Sequence, residues 1–156
     1  MATVDPERIL QALAEHEVPY LLVGGMAAVA HGWPGATADV DLLAAHDDEA
    51  RAALAAALTD LGAVAERFDG SGASLLRSTA WSFETDAGPV DVLFVLEPRG
   101  TYRELVAGRV EAEAFGVVVP LIGLDDLIRV KQELGRPKDL RVAAELEALR
   151  DERDRR

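Results

Sequence analysis

The sequence predicts an α/β domain of the α+β kind: a mixed β-sheet flanked by helices and closed by a C-terminal helical pair. Three observations carry this. Apolar residues recur at helical spacing from Pro6 to His16, after Asp47-Asp48, from Leu124 to Leu134 and from Lys138 to Arg150. Short apolar runs of strand length stand between these stretches, notably Tyr20-Leu21-Leu22-Val23 and Val90-Asp91-Val92-Leu93-Phe94-Val95. The middle of the chain changes period, with Trp81, Phe83 and Thr85 alternating with smaller or polar residues. A chain of 156 residues is one domain by length, and folding at this size buries roughly 70% of the unfolded surface. We expect that single domain over residues 1–150, followed by a solvated, fraying charged tail over 151–156.

The elements follow in order. Asp5 can cap the first helix, Pro6 suits its first position, and Ile9, Leu10 and Leu13 share a face. The run from Tyr20 to Val23 stops at Gly24-Gly25 and reads as a buried strand. Met26 to His31 is a short helix closed by Gly32 and the breaker Pro34. Asp39-Val40-Asp41-Leu42-Leu43 reads as the next strand. Asp47 and Asp48 can cap a third helix, in which Leu54, Leu58 and Leu61 recur and Gly62 ends the pattern. Trp81 to Thr85, the turn Asp86-Ala87-Gly88-Pro89 and Val90 to Val95 make a hairpin. A helix is expected from Thr101 to Ala107, and two short strands, Val110 to Phe115 and Val117 to Leu121, around Gly116. The helix from Leu124 to Leu134 stops at Gly135-Arg136-Pro137, and the last helix runs from Lys138 to Arg150.

Composition removes several function classes. There are 16 Lys and Arg against 28 Asp and Glu, a net charge of −12. An extended nucleic-acid-coating surface, which binds mainly through Lys and Arg, is therefore not expected. The chain has no cysteine, which excludes disulfides, zinc-thiolate sites and thiol nucleophiles. No apolar run approaches 18 residues, so no membrane-spanning helix is expected. The start, MATVDPERIL, has neither a basic n-region nor an apolar h-region. No signal peptide is expected there, and a cytoplasmic location follows by default. Abundant Ala and Arg with no Asn is the bias of a GC-rich bacterial genome.

The stretch YLLVGGMAAVAHGWPGATADVDLL, residues 20–43, concentrates the chemistry. A strand runs into Gly-Gly and then a helix, so a ligand can approach the backbone at a helix N-terminus that favours phosphate. A plain tight turn is the alternative. Asp39 and Asp41 follow, two carboxylates on one face of a strand about 7 Å apart. Like charges placed so repel, and a divalent metal removes the objection. Hard carboxylate oxygens suit Mg²⁺ or Mn²⁺ rather than zinc. A solvent-facing acidic edge strand remains the other reading. Asp91 sits in PVDVLFVL, where nearly every neighbour is apolar. Such an Asp is costly unless it is paired or ligates a metal. Beside Asp39 and Asp41 it completes a three-carboxylate cluster able to hold two Mg²⁺ ions roughly 4 Å apart, the geometry of in-line phosphoryl or nucleotidyl displacement.

The whole pattern is Gly-Gly, a short helix ending in His-Gly, then T-x-D-x-D, then an apolar strand with one Asp. It resembles the minimal nucleotidyltransferases of the DNA polymerase beta-like superfamily, in particular the AbiEii-type bacterial branch. The C-terminal DLIRVKQELGRPKDLRVAAEL is similar to that branch's helical ending. The resemblance implies a nucleotidyltransferase-like fold and a magnesium-dependent transferase that moves NMP from an NTP to an acceptor hydroxyl with loss of pyrophosphate. It implies that Asp39, Asp41 and Asp91 hold two Mg²⁺ (or Mn²⁺) ions and that Gly24 and Gly25 receive the triphosphate. Thr37 matches the Thr before D-x-D. It also implies a nucleotide partner, a protein or tRNA acceptor, and a cognate antitoxin if the chain is the toxin of a toxin–antitoxin pair.

Two positions depart from the branch. Its R-x-T-x-D-x-D has an Arg where this chain has Gly35, and its K-D-L-x-D ending reads here Lys138-Asp139-Leu140-Arg141-Val142. The alternative is therefore a catalytically silent nucleotide- or partner-binding module of the same fold. An aminoglycoside-type small-molecule modifier is a further rival, against which stands the little material that a short chain offers for a substrate cleft.

Lys131 is one of only two lysines and falls on the face of its helix that Leu124, Leu127, Ile128 and Leu134 mark as inward. Either its stem packs and its ammonium snorkels to water, or it contacts phosphate or acts as a base, as the family's Lys suggests. Asp139 is a helix N-cap or a functional group. His31 is a helix C-terminal residue or lines the pocket, while His16 and His46 belong to the surface. Trp33 and Trp81 are core or pocket wall, and Trp33 is placed where a nucleobase can stack.

Overall fold

Twelve regular elements follow one another along the described chain, residues 3–97 and 100–156. They are α1 (Pro6–Glu15), β1 (Tyr20–Val23), α2 (Gly24–Ala30), β2 (Val40–Ala44), α3 (Asp48–Asp60), β3 (Ala80–Thr85), β4 (Gly88–Leu93), α4 (Tyr102–Leu105), β5 (Val110–Ala114), β6 (Val117–Leu121), α5 (Leu124–Leu134) and α6 (Pro137–Asp154). In this computed structural model the six strands form one mixed sheet in the order β3-β4-β2-β1-β6-β5. The pairs β3–β4, β1–β2 and β5–β6 are antiparallel, and β2–β4 and β1–β6 are parallel. The expected α+β class, mixed sheet and closing helical pair are all present.

The local rules hold at the helix ends. The Asp5 carboxylate accepts from the Arg8 N–H at 3.2 Å, and Asp47 accepts from the Ala50 N–H at 2.9 Å. Thr101 and Glu104 form a capping box on α4. Gly135, at φ 71°, closes α5 in the left-handed conformation that glycine adopts without strain.

Several boundaries differ from the sequence reading, among them β4, which spans Gly88–Leu93 and not Val90 to Val95. The helix α2 takes in Gly24 and Gly25 as its first turn instead of starting at Met26. The strand β2 begins at Val40, so Asp39 lies in the bend before it. The helix expected from Thr101 is one turn, α4, followed by a 3-10 turn at Val106–Gly108. The last helix starts at Pro137 and continues to Asp154, through most of the expected tail. Its end is tied down: the Arg153 guanidinium donates to the His31 carbonyl, and Arg150 Nη1 reaches Asp125 Oδ1 at 2.8 Å. A 3-10 turn at Ala73–Arg77, where no element was expected, packs under α3.

Register sorts the sheet into two faces. Val40 pairs with Val90 and Leu42 with Val92, and these point with Leu22, Trp81 and Phe83 into the core. The alternate residues, Asp41 beside Asp91 and Leu43 beside Leu93, point to the other face. There α5 contributes Leu127, Val130 and Lys131 to the walls of a shared cavity. Trp81 is core as expected, stacked on Phe83 with ring centroids 5.5 Å apart.

His31 closes α2 but does not line that cavity. It is 5% exposed, and its Nε2 donates to the Ile122 carbonyl at 2.8 Å. Burial pushes its pKa below the usual histidine value, against the opposing effect of the Ile122 bond. A lowered folded pKa means that the unfolded chain binds the proton more tightly. Stability from neutral His31 is then present above about pH 6.5 and lost as pH falls toward the folded pKa. Thermal melts of wild type and His31→Gln between pH 7.5 and 5.5 check this. The wild type should lose more stability on acidification, while Gln, which keeps a donor for Ile122, should flatten the difference.

Candidate active site

The pairing of β1 with β2 and of β2 with β4 assembles the site. Parallel register sets Asp41 directly beside Asp91 on adjacent strands. Antiparallel register sets Val23 opposite Asp41, so the first residue of α2, Gly24, falls against the Asp41 carboxylate. A Cβ on Gly24 would lie 2.1 Å from Asp41 Oδ2, and the residue sits at φ +66°. Both facts require glycine there. A Cβ on Gly25 would meet Thr37 Oγ1 at 2.9 Å. The Thr37 hydroxyl donates to Asp39 Oδ1 at 3.2 Å, which fixes the bend that carries Asp39.

The ligand oxygens of Asp39, Asp41 and Asp91 all lie within 4.8 Å of one another, each carboxylate half-buried. Burial, then the charges of Asp39 and Asp91, push the Asp41 carboxyl up to about 7, against the pull of Lys131. Burial also raises Asp91, with the hydrogen bond from Ser82 opposing it. Three crowded carboxylates, with Asp41 and Asp91 held back from ionising, are a donor set that fits a hard divalent cation. They supply oxygen ligands only, without imidazole or thiolate, as Mg²⁺ and Mn²⁺ prefer.

Two cavities meet at Asp41. One, of about 530 Å³, holds Gly24, Gly25, Thr37, Asp39, Trp33 and both lysines, Lys131 and Lys138. The other, of about 350 Å³, lies on the Asp91 side and is walled by apolar residues of β3, β4 and α5. Lys131 lines both. Leu134, expected on the inward face of α5, is instead 43% exposed and forms part of the rim of the second cavity.

Lys131 is not a free ammonium. Its Nζ lies 3.4 Å from Asp139 Oδ1. Asp139 is only 2% exposed and also accepts from Arg136 Nε at 2.5 Å. The N-cap reading of Asp139 is corrected: Arg136 occupies the cap position, and Asp139 sits in the first turn of α6. The Arg136 hydrogen bond, and then Lys131, hold its carboxyl below the usual carboxylate range. Arg136, which the sequence reading passed over, lines the second cavity. His16 is a half-buried ion-pair partner of Asp60, and exposed His46 rests on Phe94 at 4.6 Å.

Trp33 explains Gly35. A Cβ on Gly35 would lie 1.9 Å from the Trp33 ring, so the indole occupies the space that a side chain at 35 needs. The ring is held from α6, where its Nε1 donates to Glu145 Oε2 at 2.6 Å.

Solved structures of the same fold exist at low sequence identity. A Thermotoga maritima protein described as a nucleotidyltransferase (TM1012) superposes with a TM-score of 0.61 and 18% identity, over 99% of this chain and 98% of that one. The antibiotic-resistance factor ANT(2'')-Ia matches in its solution structure with a TM-score of 0.59 and 22% identity, over 96% and 90% of the two chains. The same enzyme in complex with adenylyl-2''-tobramycin gives 0.55 and 21%, over 96% and 95%. No protein-family model matches the chain, and no curated protein matches it significantly by sequence. The fold is that of the nucleotidyltransferases.

Two predictions test the carboxylate cluster itself. In chelator, the raised Asp41 pKa means that the folded state holds its proton more tightly than the unfolded chain does. Metal-free stability should therefore fall as pH rises from about 4 to 7, by on the order of 2 kcal/mol, and Asp41→Asn should reduce that fall to the part that Asp91 contributes. Urea melts across that range measure it. Gly24→Ala should cost about 1–2 kcal/mol from the left-handed backbone alone. Displacement of Asp41 should also weaken Mn²⁺ binding at least tenfold, read by calorimetry.

Proposed function

We propose that this chain is a Mg²⁺- or Mn²⁺-dependent nucleotidyltransferase that moves NMP from an NTP to an acceptor hydroxyl. The observation that carries the reading is the convergence of Asp39, Asp41 and Asp91 within 4.8 Å at the point where two cavities meet. Asp39, Asp41 and Asp91 would hold the divalent ions, which would supply neutralisation of the cluster and polarisation of the reacting phosphate. Gly24, Gly25 and Thr37 offer backbone and hydroxyl to the triphosphate in the larger cavity, and Lys131 and Lys138 balance its charge. Asp91 faces the acceptor. The acceptor oxygen bonds to the α-phosphorus, the bond to the bridging oxygen breaks, pyrophosphate leaves, and the hydroxyl proton passes to solvent at the Asp91 side. The reaction needs in-line placement of these groups, and two cavities that meet at Asp41 are consistent with nucleotide and acceptor approaching from opposite sides.

The acceptor divides the reading. The sequence resemblance to the AbiEii-type branch favours a protein or tRNA hydroxyl and the toxin of a bacterial toxin–antitoxin pair, in the cytoplasm. The likeness to ANT(2'')-Ia favours a small molecule. The chain covers at least 90% of that enzyme, so the objection that a chain this short cannot build a small-molecule cleft falls. Besides Val142, where the branch's second Asp would stand, the silent-module alternative drew its best support from Gly35. Because Trp33 fills that space, the glycine is a packing requirement, and Gly35→Arg should displace the indole and weaken nucleotide binding rather than restore an activity.

Calorimetry with each NTP, with and without Mg²⁺, tests the metal requirement. NTP should bind with Mg²⁺ and lose at least tenfold in affinity in EDTA, because the unneutralised carboxylates repel a triphosphate. Equal affinity in both conditions would overturn the reading. Pyrophosphate release separates the roles: Lys131→Ala should lose most turnover with the fold intact, and Asp91→Ala should lose turnover while keeping NTP binding.

A further inference from the structure

We infer that the acceptor is a hydroxyl carried on an uncharged, apolar small molecule, and not a polycation. The inference rests on the proposed transfer and deepens it by assigning the cavity on the Asp91 side. That cavity contains Asp41 and Asp91 but not Asp39, whereas the larger one contains Asp39 and Asp41 but not Asp91. The nucleotide's phosphates belong with Gly25, Thr37 and Lys138, which line only the larger cavity, so the acceptor enters from the other side.

The chemistry of that cavity is one-sided. Its walls are Ala80, Leu93, Leu96, Leu127, Val130 and Leu134, and its volume is about 350 Å³. That is the small end of the range for small-molecule sites, with the usual apolar lining and few polar groups. The half-exposed Leu134 at the end of α5 extends the apolar surface to the rim. The carboxylates lining it are Asp41 and Asp91, which metal binding neutralises. The cations at its edge, Lys131 and Arg136, are both engaged by the buried Asp139, so neither calls for a charged acceptor. A polyamine would be desolvated against leucines and would compete with the divalent ion for the two carboxylates that line the cavity, Asp41 and Asp91. An aryl or alkyl alcohol would bury its body on the leucines and present its oxygen to Asp91 and the α-phosphorus. The O–P bond then forms as the α-phosphorus–bridging oxygen bond breaks, and pyrophosphate departs with the electron pair.

The probe is 2-naphthol, followed by its own fluorescence as it is titrated with the full-length protein in saturating Mg²⁺ at pH 7. Tobramycin is the polycation. Saturable 2-naphthol binding is expected, unaffected by excess tobramycin. Ala80→Glu and Leu134→Glu, both at exposed positions of the rim, should weaken it at least fivefold while leaving Mg²⁺–ATP binding unchanged. Asp39→Asn should do the reverse. Absence of saturable binding, equal binding by both rim variants, or displacement by tobramycin would overturn the inference. Loss of Mg²⁺–ATP binding in wild type would instead strike the transferase reading, and the two failures are read in separate titrations. Pyrophosphate release from Mg²⁺–ATP with a panel of neutral alcohols completes the test. Release with tobramycin and with none of the alcohols would assign the cavity to a polycation after all.

Discussion

Mutual repulsion among three carboxylates is the constraint around which the rest of this molecule is arranged. Asp39, Asp41 and Asp91 gain nothing from standing together in a half-buried site, and Asp41 resists ionisation up to about pH 7 as a result. The backbone nevertheless holds them there through strand pairings, with a glycine at 24 because no side chain fits against Asp41. An arrangement that works against its own electrostatics persists when something outside the protein compensates it, and a divalent cation is the simplest compensating group. The apolar core on the opposite face of the sheet supplies the stability that lets the site stay strained.

What was legible in the sequence was legible for specific reasons. The strands around Asp41 and Asp91 show because an acid inside an apolar run has few explanations. The caps at Asp5 and Asp47 show because a local hydrogen bond fixes them. Helix α5 was bounded correctly by its period and by Gly135. The extension of α6 was hidden because its last residues are charged and exposed, and what orders them is contact with His31 and Asp125, far away in sequence. The environment of Lys131 was hidden for the same reason. Its partner Asp139 reads as an ordinary cap until the α5–α6 hairpin folds it back.

Gly35 gives the same lesson in reverse. Set against a related pattern, it is a missing cation, and a missing cation suggests lost chemistry. In the folded molecule it is a vacancy filled by an indole that Glu145 holds from a distant helix. Gly35, Trp33 and Glu145 therefore act as one packed unit in this chain, and the meaning of a glycine at 35 is read from its two partners and not from the single position.

The parallel pairing of β2 with β4 has a consequence for how the chain reaches its final form. Parallel neighbours cannot be joined by a tight turn, and the crossover here carries α3, the 3-10 turn and β3 before β4 returns beside β2. Asp41 and Asp91 thus meet only after a loop of some 50 residues has closed, at an entropic cost that no local contact refunds. A chain in which β2 and β4 have not yet paired lacks the Asp41–Asp91 pair altogether. Occupancy of the carboxylates is accordingly a report on completed topology, so a cation that binds there also selects the fully formed chain over its precursors.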